Sequence, residues 1–176
     1  VGGLVPGTSI CVTALSEPGY KVILNTPAYN AFFHCLKDCG REISESKLTY
    51  KDGKYSFDFE DFEERCKEAK LFLLCNPQNP AGRLWTREEL ERLGDICLKY
   101  GVTVIADEIH CDIVPPGCAY TPFAGIKEEF QQNCVSLISP TTIMSGSNRR
   151  DAATRSSWDM SPEGMSEGLE SVCTAL

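Results

Sequence analysis

The stretch VTVIADEIH, residues 102–110, decides how this chain folds. Its first five residues are almost all apolar and do not alternate with polar ones, as in a strand covered on both faces. Asp107, Glu108 and His110 then crowd against its end. A carboxylate drawn half out of water at the mouth of a core is costly unless a positive group meets it. No Lys or Arg stands next to Asp107 in the sequence. Either Asp107 caps a following turn or helix, or something cationic comes to it.

The same kind of apolar run recurs along the chain. KVILN (21–25), a short segment at 42–44, KLFLLC (70–75) and CVSLIS (134–139) read as strands. Helical spacing occupies 6–17, 28–39 and 58–68, with Pro18-Gly19 and Gly40 as stops. The strongest helix opens at Thr86, where Thr86 and Glu89 form a capping box, and closes at Gly101. Asp52-Gly53 marks a turn. Strands therefore alternate with helices. An α/β fold is expected, with a mostly parallel sheet and helices on both faces.

Bulk composition narrows the function classes. The 176 residues are 42% hydrophobic, enough to bury a core, and the net charge is −8. With a pI near 4.8 and no Lys/Arg run, nucleic acid is not an expected partner. No apolar run approaches the roughly 18 to 20 residues of a membrane span, so no membrane partner is expected. Ten cysteines sit mostly inside apolar segments without a C-x-x-C pair, which suggests reduced thiols in a cytoplasmic protein. Cys35 and Cys39 with His34 would be a sparse zinc site. The phosphate-binding patterns G-x-G-x-x-G and G-x-x-x-x-G-K-[ST] are missing, which disfavours a nucleotide-binding domain.

In a parallel sheet, ligands bind beyond the C-terminal ends of the strands. Asp107 stands there, and a pyridinium nitrogen is a cation such a carboxylate would keep protonated. CNPQNPAGRLWTREEL (75–90) also follows a strand. Pro77 and Pro80 stiffen its loop, which presents Asn76 and Asn79. NTPAYNAFF (25–33) brings Tyr29 to the end of another strand, where its ring could lie on a flat ligand or simply pack in the core.

TPAY, NPQNPAGR and ADEIH, in this order and spacing, resemble a fold-type I pyridoxal-phosphate enzyme of the aminotransferase class I/II superfamily, and most of all its cystathionine β-lyase-like C–S lyase branch. The resemblance runs over residues 1–141. It implies pyridoxal 5'-phosphate as cofactor, with Asp107 on the ring nitrogen, Asn79 donating to the ring oxygen and His110 close to that oxygen. It further implies Tyr29 on the ring face and the amides of Gly3, Leu4 and Val5 on the phosphate, a placement a helix N-terminus favours. Arg83 and Trp85 are assigned to packing at the start of the helix, and Glu108 to an ion pair. The implied reaction is β-elimination from a cysteine S-conjugate such as cystathionine, giving pyruvate, ammonia and a thiol; an aminotransferase is the alternative. The implied assembly is a homodimer, or a heterodimer with an intact homologue.

The pattern breaks after Thr141. The family's chemistry needs a lysine in a Ser-x-x-Lys segment, and Thr142 stands at that position. From there the sequence turns rich in Ser, Gly and charge. Residues 1–141 are thus expected to be part of a cofactor-binding large domain, and 142–176 a divergent, disordered tail. The chain starts at Val1 and reads as a truncated product without a catalytic residue, inactive or reduced to a non-catalytic cofactor-binding or dimer-partner remnant.

Overall fold

The computed structural model describes residues 3–114 and 117–138. Five strands form one parallel sheet: β1 (Lys21–Thr26), β2 (Glu42–Lys47), β5 (Ala69–Cys75), β6 (Thr103–Asp107) and β7 (Cys134–Leu137), in the order β2-β1-β5-β6-β7. The α/β expectation holds. Two short strands, β3 (Thr49–Lys51) and β4 (Lys54–Ser56), make a separate hairpin. Its Asp52-Gly53 turn has positive φ at both residues, 52° and 78°, as a tight hairpin requires.

Strand alternation sorts the core into two layers. On one face Val22, Leu24, Leu71, Leu73, Cys75 and Ile105 pack against α1 (Leu4–Leu15) and α2 (Asn30–Asp38). On the other, Ile23, Phe72, Leu74, Val104 and Ala106 pack against α3 (Phe59–Cys66), α4 (Arg87–Tyr100) and the short α5 (Glu128–Gln132). α4 starts at the expected capping box and ends on Gly101 in the left-handed conformation. α1 begins two residues earlier than its spacing suggests, because Gly3 serves as its N-cap and Pro6 falls inside its first turn, where a missing N–H costs nothing. β2 runs three residues past Ser44, as a polar outer strand whose hydrogen bonds to β1 outweigh its weak pattern. Among the described residues no helix is long and apolar enough to cross a membrane.

α1 runs against the strands. Near its C-terminal end, Val12 and Ser16 accept bonds from Arg41, just ahead of β2, so this end of the helix lies at the N-terminal edge of the sheet. The helix is twelve residues, about 18 Å, long, and its N-terminus reaches the opposite edge, where all five strands finish.

Candidate active site

Asp107 closes β6 and is 3% exposed. Counting by twos from Ile105, its side chain lies on the α1/α2 face. One carboxylate oxygen accepts the Ile109 N–H at 3.1 Å, so the turn-capping role is real. The second oxygen has no partner among the described residues, and no Lys, Arg or His there forms an ion pair with it. Burial pushes this carboxyl up to about 7, helped by Glu108 and opposed by the Ile109 bond.

The neighbouring strand ends converge on it. Cys75 is the β5 residue paired with Asp107, and the Asn76 N–H donates to the Asp107 carbonyl at 2.9 Å. After Asn76 the chain folds back, and the Asn79 N–H rests on the Cys75 sulfur at 3.4 Å. That bond brings Asn79, half-buried, to the same face and edge as Asp107. The Cys75 thiol, sealed among these groups, is pushed up to about 12, chiefly by burial and then by Asp107. The loop is fixed from both sides. Gln78 donates to the Pro27 carbonyl at 2.8 Å, and the Trp85 indole donates to the Cys75 carbonyl at 3.0 Å. Arg83 grips both oxygens of Glu89 at 2.8 Å, so Arg83 and Trp85 do serve packing.

Tyr29 is the N-cap residue of α2 and follows β1 at the same edge. Its ring is 44% exposed and touches Phe32 edge-on at 5.6 Å. Core packing therefore uses only part of this side chain, and the rest stays open to solvent. At α1 the first helical bond is Gly7 N–H to Gly3 C=O, 3.1 Å. The Leu4 and Val5 amides precede it and have no acceptor within the helix. Gly3 has φ 139°, a conformation other residues rarely adopt, and among the described residues a Cβ there would meet only Pro6 Cδ, at 3.9 Å. His110 lies in the turn after Asp107, half-buried, and its ring bonds to no described residue. Thr142 lies outside the described residues.

Glu108 departs from expectation. It forms no ion pair among the described residues; it is 1% exposed and accepts the Phe123 N–H at 2.9 Å. Cys35 and Cys39 lie on α1-facing α2 beside Ser9 and Thr13, and no cluster of three or more metal-binding side chains occurs among the described residues. Gln78 and Cys75, which set the loop, gave no signal in the sequence, since their roles depend on which strands become neighbours.

A doubly wound sheet with a buried acid, a rigid Asn-Pro loop, an aromatic ring and a helix N-terminus at one edge defines a class: α/β enzymes that hold a flat, phosphorylated, cationic cofactor. The chain belongs to the aminotransferase class I and II family, whose sequence profile matches residues 1–143. It is 43% identical over 141 residues to cystathionine beta-lyase PatB of Bacillus subtilis, covering 79% of this chain and 36% of that protein. It is also similar to the crystal structure of cystalysin from Treponema denticola, which contains a pyridoxal 5'-phosphate cofactor. That match has a TM-score of 0.78 and 37% identity over 80% of this chain and 36% of that one. The PLP-bound C-S lyase from Staphylococcus hominis matches with a TM-score of 0.76 and 32% identity, over 80% and 36% of the two chains. The chain thus spans about a third of the length of these relatives.

Proposed function

We propose that residues 1–141 form part of the pyridoxal-phosphate-binding large domain of a cytoplasmic C–S lyase, and that this chain by itself binds the cofactor without covalent attachment and does not turn over substrate. The single observation that carries the reading is Asp107, a buried carboxylate with a free oxygen and no cation among the described residues. The fit extends to the surroundings. Asn79 sits over Cys75 beside it, Tyr29 is exposed, and the α1 amides point out of a terminus that bears no side chain at Gly3.

When bound, pyridoxal phosphate supplies an electron sink for a substrate carbanion. Asp107 would keep the proton on the ring nitrogen, and Asn79, with His110 close by, would hydrogen-bond the ring oxygen. Tyr29 would lie on the ring, and the amides of Gly3, Leu4 and Val5 would hold the phosphate. Moving a substrate proton needs a base beside the reacting carbon, and in this family that base is a lysine. The last lysine of this sequence is Lys127, which pairs with Glu91 and Asp95 of α4, away from the site. Lys21 and Lys70 stand at the starts of their strands, at the opposite edge. With Thr142 at the lysine position, the chain keeps its cofactor contacts and lacks the proton-moving group. An intact family member would act on an amino-acid substrate, a cysteine S-conjugate.

The test is to titrate the purified 176-residue chain with pyridoxal phosphate, then reduce with borohydride and weigh the protein. Saturable binding that washes out after reduction is expected, with no pyruvate formed from cystathionine. Mass increase by one reduced cofactor at a single lysine, or sustained pyruvate release, would contradict it.

A further inference from the structure

Glu108 follows Asp107 directly, and alternation turns it to the other side of the sheet, into the α3/α4 layer. Its carboxyl is held by the Phe123 N–H and faces the side chains of Asn76, Tyr120 and Ser136. Asn76 in turn donates to the Thr121 carbonyl at 2.9 Å. Two oxygens of this buried set, Asn76 Oδ1 and the Tyr120 hydroxyl, have no well-aligned hydrogen bond among the described residues. The titratable groups that feel Glu108 are Asp107 on its own strand, Cys111 and Tyr120 beyond it, and Cys134 of β7. All are acids, and no cation faces it among the described residues. Ionised, Glu108 would be an uncompensated charge in a sealed pocket. As a neutral acid it brings an O–H donor to a pocket in which Asn76 Oδ1 lacks one, while the Tyr120 hydroxyl can donate to the carboxyl.

We propose that Glu108 is a buried, neutral carboxylic acid that acts as a positioning residue, pinning residues 120–123 and Asn76 against the ends of β5 and β6. Asn76 opens the loop that carries Asn79, so the pin reaches the site from behind. Two adjacent carboxyls then divide the work: Asp107, on the cleft face, takes the charge, and Glu108, on the core face, carries a proton. Burial pushes the Glu108 carboxyl up against the pull of its donors, which agrees with this assignment.

The experiment compares the full chain with E108Q and E108A, without cofactor, by amide hydrogen exchange at Phe123 and by infrared spectroscopy of carboxyl groups. Glutamine keeps both the acceptor for Phe123 and a donor, so E108Q is expected to match the wild-type protection at pH 6 and to keep it at pH 9. E108A is expected to lose roughly tenfold in protection, the worth of one hydrogen bond. At pH 7, with Asp107→Asn as the background so that the half-protonated Asp107 does not contribute, the chain should show a neutral-acid carbonyl band that adding E108Q removes. E108Q losing protection as E108A does, or no such band in the Asp107→Asn background, overturns the proposal. Should E108A fail to fold, E108Q and the infrared band decide alone. No readout uses pyridoxal phosphate, so its failure to bind would leave this result standing.

Discussion

Asp107 is a buried carboxyl held by one hydrogen bond. Its folded carboxyl titrates near 7 against an ordinary 3.8, raised mainly by burial. A raised acid supports the fold fully below pH 4 and loses that support as pH climbs through 7. In the cofactor-free chain it therefore costs up to about 4 kcal/mol at pH 8. Asp107→Asn should raise the melting temperature of the cofactor-free chain at pH 8, raise it by less than half as much at pH 5, and weaken pyridoxal phosphate binding at both. Calorimetry at the two pH values checks the first part; a variant less stable at pH 8 would show that the carboxylate already has a partner. The position of Asp107 was legible because an unbroken apolar run ends on it. The division between Asp107 and Glu108 was not, because Phe123 lies fifteen residues on, across a connector with no period.

At the scale of elements, local chemistry was readable where it is self-contained. The α4 capping box and the Gly101 stop need no tertiary partner and stand where the residues put them. α5 and the β3–β4 strands escaped notice, at five and three residues too short to show a period. The packing of α5 on α4 depends on one glycine. A Cβ on Gly94 would meet the Phe130 ring at 2.3 Å, and Phe130 stacks on Phe123 at 5.2 Å. Alanine normally favours a helix over glycine by about 1 kcal/mol. Here overpacking should win, and Gly94→Ala should destabilise the chain by about 1–3 kcal/mol in chemical denaturation. It should also loosen the Phe123 amide held by Glu108. A stabilised variant would mean that α5 does not seat on α4.

For the whole molecule, parallel order makes a site from residues distant in sequence. The turns after β1, β5 and β6 and the start of α1 meet because every strand in the sheet points the same way. Hydropathy runs gave the sheet but not the strand order, and hence not the Gln78 bond that joins two of the loops. A ligand that binds only the folded chain stabilises it by about 2.7 kcal/mol at a hundred times its dissociation constant. Pyridoxal phosphate should accordingly raise the melting temperature by several degrees, and Asn79→Ala and Tyr29→Ala should each shrink that rise. Equal shifts in all three proteins would place the binding elsewhere.

The most direct measurement is the nitrogen-15 chemical shift of ring-labelled pyridoxal phosphate bound to this chain at pH 8. With Asp107 facing the ring nitrogen, the shift should be that of a protonated pyridinium, and it should revert to the neutral value in Asp107→Ala. A neutral ring nitrogen in the wild-type chain, or a protonated one in both proteins, would contradict the placement of Asp107.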